Sequence, residues 1–139
     1  MTKERLRQYR ELKKEKAQIE EKLEELEGVM YAPRSSKNDG MPHAQGKNGS
    51  LVETLTEQHQ TLLNLYNDKL VELNACLLEI ETAIESLTDS TERQLMRMHY
   101  IDGMKWEAVA VVIGYEWAQT HRIHARALKK LRALEEAEQ

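Results

Sequence analysis

The residues best suited to chemistry lie near the end of the sequence, where Gln119, Arg122, Arg126, Lys129 and Lys130 fall on one expected basic helix. Gln119 carries a donor beside an acceptor, the pattern that pairs with adenine, and Arg122 can bridge a guanine edge or a phosphate. His121 can donate to a base edge or a phosphate, and Thr120 either faces the core or bonds a phosphate. Trp117 and Ala118 offer mainly apolar surface, suited to a thymine methyl. Arg126, Lys129 and Lys130 are expected to act as positioning charges along the sugar–phosphate backbone. Lys105 stands at the start of the preceding helix, a place where phosphates are commonly met. A basic helix face is often only solvated, so the elements around it must decide.

Other chemistries find little support. There is no Gly-rich phosphate loop, no HExxH and no Ser or Cys nucleophile with a placed base, so no catalytic activity is expected. His121 and His124 have the i,i+3 spacing that metal ligands also use. Without nearby Cys or matched carboxylates, no metal and no cofactor is expected. Cys76, the single cysteine, sits within an apolar helical stripe and reads as packing. One cysteine excludes an internal disulfide network and fits a reducing compartment.

Three helices are expected to carry the basic residues. The first runs from about Thr91 to Tyr100, with Asp89 as N-cap and Glu92 completing a capping-box pattern. The second is short, about Met104 to Val112, and stops at Gly114, a residue suited to the left-handed helix end. The third runs from about Trp117 to Leu134 and has Ile123, Ala127, Leu131 and Leu134 on its apolar line. Trp106, Val109, Ile113, Leu95 and Met98 are the expected core. Two helices across a tight glycine turn, the second longer and basic, make a helix-turn-helix pattern.

The segment Trp106-Glu107-Ala108-Val109-Ala110-Val111-Val112-Ile113-Gly114, followed by Arg126-Ala127-Leu128-Lys129-Lys130-Leu131-Arg132, resembles region 4 of bacterial sigma factors. That module binds promoter −35 elements. With its YIDGMKW and upstream NDGMP segments, the whole chain resembles phage late-gene transcription activators of the RinA/ArpU type. The sigma-like likeness covers the last third and implies a helix-turn-helix fold, duplex DNA and host RNA polymerase as partners. Where sigma region 4 carries an Arg-Glu pair for reading −35 bases, this chain has Trp117 and Ala118. They cannot make those hydrogen bonds, so a different operator is expected.

Composition is compatible with this. Charged residues make up 32% of the chain and there is no Phe, which suits elongated helices better than a large globular core. The net charge of −4 conceals a division. Residues 90 to 134 hold eight basic and four acidic side chains, whereas the remainder is acidic. Screening limits the reach of distant charge to roughly 10 Å, so a local basic field still attracts polyanions. No apolar run approaches the ~20 residues of a membrane span, and no apolar leader opens the sequence. A cytoplasmic, nucleoid-associated protein of a bacterial host cell is expected, without membrane contact.

The fold class expected is all-α: a long N-terminal helical hairpin of coiled-coil character, then the three-helix domain. Residues 1–30 read as a charged helix with Tyr9, Leu12, Ile19, Leu23, Leu26 and Met30 near heptad a and d positions. Its faces are expected to be solvated; the alternative is a basic arm on DNA through Arg5, Arg7 and Arg10. Residues 31–50 read as a flexible Gly/Pro/Asn-rich loop in which Arg34, Lys37 and Lys47 could contact phosphate or polymerase. Residues 51–87 read as a long amphipathic helix, 88–134 as the sigma-like DNA-binding domain and 135–139 as an acidic tail. Leu63, Leu65, Val71 and Leu78 widen the apolar stripe of the long helix beyond what one partner covers, so a homo-oligomer through the long helices is expected.

The function expected is sequence-specific binding of double-stranded DNA to regulate transcription; the phage resemblance implies activation of late packaging and structural genes. Two rivals stand beside it. One is a sigma-like interaction module that acts on host RNA polymerase without reading DNA. The other is a structural coiled-coil protein with an incidental basic end.

Overall fold

A computed structural model of the chain describes residues 3–32 and 45–138, with side chains at 45–49 outside the description. Among the described residues, five α-helices carry the fold: α1 (Lys3–Tyr31), α2 (Gln45–Glu85), α3 (Ser90–Met96), α4 (Trp106–Ile113) and α5 (Trp117–Glu138). A π-helical turn, Arg97–Ile101, follows α3 directly. Among the described residues there is no strand, and the fold is all-α as expected.

Two compact units divide the chain. One comprises Met1–Lys13 and Val71–Gln139, the other Lys14–Leu70. In the second unit, α1 and α2 run antiparallel. Glu27 meets His59 at 3.0 Å, Glu20 accepts from the Tyr66 hydroxyl at 3.0 Å, and Lys69 pairs with Glu15 at 2.6 Å. These contacts step up one helix as they step down the other, which is the register of a helical hairpin. The hydrogen bond from Lys16, followed by that from Tyr66, holds the Glu20 carboxyl below its ordinary range.

The first unit is built differently. The C-terminal domain was expected over residues 88–134. Its core instead draws Leu6, Tyr9 and Leu12 from α1 and Leu73, Cys76, Ile80 and Ile84 from α2. These pack with Leu95 and Met96 of α3, Val109 of α4 and Ile123, Ala127 and Leu131 of α5. Short helices such as α3 and α4 cannot bury one face on a single neighbour, so the ends of the long helices complete the enclosure. Cys76 is fully buried in this core, and burial pushes its thiol above the usual range.

Several boundaries move. The helix expected from 51 begins at Gln45, so six residues of the expected loop are helical despite Gly46 and Gly49, each costing about 1 kcal/mol in a helix. Residues 33–44, which hold Arg34, Lys37 and the Asp39-Gly40-Met41-Pro42 stretch, lie outside the described residues, as does the side chain of Lys47. Residues 135–138 of the expected acidic tail continue α5. Leu134, expected on the buried line, is 41% exposed because α5 runs on past the core.

The start of α3 follows the sequence in one half of its cap only. Asp89 Oδ1 accepts from the backbone N–H of Thr91 at 2.8 Å and of Glu92 at 3.5 Å. Glu92 was expected to reach back and complete a capping box. It is fully buried, and both its oxygens accept from Lys130 Nζ, at 2.9 and 3.0 Å. The helix expected to run unbroken to Tyr100 also widens, with Asp102 N bonding Arg97 O and Met104 N bonding Met98 O. Gly103, at φ +73°, takes the left-handed conformation that lets the chain turn there into α4.

Candidate nucleic-acid interface

The helix-turn-helix is set by local backbone chemistry. Helix α4 ends on Gly114 at φ +76°, whose N–H and that of Tyr115 both bond to Ala110 O. Three residues later α5 begins, its first turn tied down by Thr120 N and Thr120 Oγ1, each donating to Glu116 O at 2.9 Å. Helices α3 and α4 both pack on α5. Thr120, Ile123, Ala127, Leu128 and Leu131 form the buried face of α5. The opposite face is thereby forced outward.

That outward face carries Ala118, Arg122, Arg126, Lys129 and Arg132, all exposed. From Arg122 to Arg132 the helix rises roughly 15 Å, at 1.5 Å per residue. Arg122 donates to Gln119 Oε1 at 3.3 Å, which links the two side chains expected to read bases. Lys105, extended at the N-cap of α4 (φ −69°, ψ 152°), is also exposed. Trp117 is 58% exposed at the first turn of α5. Of the ten expected interface residues, Lys105, Trp117, Ala118, Arg122, Arg126, Lys129 and Lys130 are exposed, Gln119 and His121 are partly so, and Thr120 is buried.

Three of them also engage residues of the chain itself, and for Thr120 the core-facing alternative is the one found. Thr120 is fully buried and its hydroxyl serves the α5 N-terminus. His121 lies against the rings of Trp106 (5.1 Å) and Trp117 (3.9 Å), with Nε2 buried and unpartnered among the described residues. Lys130 closes over Glu92, because a carboxylate buried without a partner costs several kcal/mol. Two further basic residues are structural. Arg93 donates to Leu87 O at 2.7 Å, and Arg97 bridges Glu81 and Glu85.

Arg132 was not among the residues expected to touch DNA. Its spacing from Lys129, three positions along the same helix, was the available signal.

Behind the interface sits a cluster of rings. His99 stacks on Trp106 at 3.8 Å and 18°, and its Nδ1 donates to Met104 O at 2.8 Å. Its Nε2 is then the acceptor for Arg10, at 3.2 Å. The Tyr100 hydroxyl and His124 Nε2 share a hydrogen bond of 2.6 Å. Burial lowers the pKa of both histidines, that of His124 to about 4, and it raises that of Tyr100. Both imidazoles are consequently neutral at pH 7, which the accepting Nε2 of His99 requires.

Among the described residues, no group of three His, Cys, Asp or Glu side chains is placed to hold a metal ion. No helix among them is long and apolar enough to cross a membrane. No protein-family model matches the sequence, and no curated protein or solved structure matches it significantly.

Proposed function

We propose that this chain binds double-stranded DNA in a sequence-dependent way and regulates transcription. The observation that carries the reading is the outward row of Arg122, Arg126, Lys129 and Arg132 on α5, the second helix of a helix-turn-helix. In this reading, the first turns of α5 enter the major groove and Arg122 and Gln119 meet base edges there. Arg126, Lys129 and Arg132 hold phosphates, and Lys105 adds one at the start of α4. The resemblance to phage late-gene activators makes late packaging and structural genes the proposed targets, in the cytoplasm of a bacterial host. The exposed Leu65, Val71 and Leu78 of α2 support self-association through the long helix, which would set half-site spacing.

A second reading has its own observation. Val111 (81% exposed), Val112 (62%) and Tyr115 (45%) leave apolar surface on and just after α4. Such surface suits a protein partner better than a phosphate backbone. It favours a sigma-like module that acts on host RNA polymerase, with or without its own DNA contact.

The test is retention of DNA fragments that tile the source genome, with competitor DNA, at two salt concentrations. One fragment held at the higher salt supports a sequence-specific reader. Uniform binding erased by salt sinks that reading and turns attention to polymerase.

A further inference from the structure

A cavity of about 180 Å³ opens beside the ring cluster, between the start of α1 and the π-turn. By the liquid volume of water it has room for roughly six molecules. That is enough for one phosphoryl group and too little for a nucleoside beside it. Its rim and floor differ in character. Lys3, Arg7 and Arg10, all exposed, stand at i, i+4 and i+7 on one side of α1. The floor is formed by His99, Trp106 and His124. No carboxylate lines the cavity among the described residues.

We propose that this cavity is a binding pocket for a phosphoryl group, held by Lys3, Arg7 and Arg10 over the rings of His99, Trp106 and His124. Three cations gathered on one helix face repel one another, and an anion set among them removes that cost. Their field already reaches the floor: Lys3 opposes protonation of His124, and Arg10 opposes protonation of His99. Arg10 spends one of its five N–H donors on His99 and keeps four for a ligand. Planar guanidinium groups match phosphate oxygens in pairs, so phosphate is favoured over halide or a single carboxylate. The floor is fixed before any ligand arrives, since Met104 O and Trp106 orient His99, while Tyr100 orients His124.

The phosphoryl group has two possible sources, a free phosphate or pyrophosphate and the backbone of a nucleic acid. The pocket stands on its own geometry, and only the second source rests on the DNA-binding reading. Trp106 lines the cavity and, with Trp117, is one of two tryptophans in the chain. In a Trp117→Phe background its fluorescence therefore reports on the pocket alone.

That protein is titrated with sodium phosphate and with pyrophosphate, ionic strength being held constant with chloride. A saturable change is expected, weakened at least tenfold by joint Arg7→Gln and Arg10→Gln substitution and unaltered by Lys129→Gln. Arg10→Gln also removes a bond to His99, so Arg7→Gln alone, on an exposed residue, serves as the variant certain to keep the fold; a several-fold weakening is expected. In parallel, duplex-DNA affinity of the otherwise unaltered full chain is measured against salt, with and without the double substitution. A fall of about two in the logarithmic slope identifies backbone phosphate as the source. Saturation by inorganic ions with an unchanged slope identifies a free phosphate. Saturation by inorganic ions without any DNA binding leaves the pocket standing and removes the DNA-binding reading. No saturable response, combined with a slope that the substitutions do not move, overturns the proposal.

Discussion

The unit Lys14–Leu70 and the unit formed by Met1–Lys13 with Val71–Gln139 are both helical, yet they are held together by different physics. Of the buried apolar side chains among the described residues, only Leu23 belongs to the former. Its pairing relies on partly exposed contacts such as Lys69 to Glu15 and His59 to Glu27, a class worth little individually in water. The other unit encloses a continuous core and even buries a carboxylate with its counter-ion. That region is a packed platform for outward charge. The other is a marginal two-helix pairing whose exposed Leu51, Val52 and Leu65 invite further cover.

The largest expected effect tests that contrast directly. Leu95→Ala, at a fully buried site, should cost about 3–5 kcal/mol, whereas Leu23→Ala should cost no more than about 2 kcal/mol. Chemical denaturation of the two variants measures both. Equal losses would show that the two units share one cooperative core.

Next comes the pair of neighbouring lysines. Lys130→Ala strips the partner from buried Glu92 and should destabilise the platform by about 3 kcal/mol. Lys129→Ala should leave the thermal midpoint nearly unchanged and reduce the salt slope of DNA binding by about one. Similar behaviour of the two variants in both assays would mean that the inward and outward faces of α5 are wrongly assigned.

Acid should act on the platform through its histidines. The folded-state pKa of His124 is about 4, below the ordinary 6.5, so the unfolded chain binds the extra proton first as pH falls. Stability from this site is complete above about pH 6.5 and is lost progressively toward pH 4. His99 is shifted in the same direction, also by burial. Between pH 7 and 5, where most carboxylates stay ionised, the melting temperature should fall, and less steeply in His124→Gln. An unchanged slope in that variant would place the titration elsewhere.

The smallest effect concerns recognition itself. If Arg122 reads a base, Arg122→Ala should weaken binding to the preferred fragment by about 1–3 kcal/mol and relax discrimination at one position. Equal weakening on random DNA would reassign Arg122 to the phosphate backbone.

Much of the fold was legible because it is written in local spacing. Asp89 caps α3, Gly114 ends α4 in the left-handed conformation and α5 starts at Trp117, each where the sequence placed it. These features depend on residues within a turn of one another, and their backbone chemistry is the same in any context. The partners of three candidate interface residues were not legible for the opposite reason. Thr120, His121 and Lys130 have side chains suited to DNA, but Glu116, Trp106 and Glu92 claim them. The pocket between α1 and the π-turn left no local signal, since its cations lie in the first ten residues and its rings between His99 and His124.

Local pattern sufficed for an all-helical chain, its caps and turns, and a basic helix that follows α4 across a tight turn. Those follow from periodicities of three to four residues, which a helix imposes without outside help. Which of two adjacent lysines takes a buried partner is settled by the packing of α3 on α5. Both are exposed, but Lys130 is held by a carboxylate 38 positions away. The choice follows from the cost of leaving Glu92 buried and unpaired, and no pattern within α5 contains that cost.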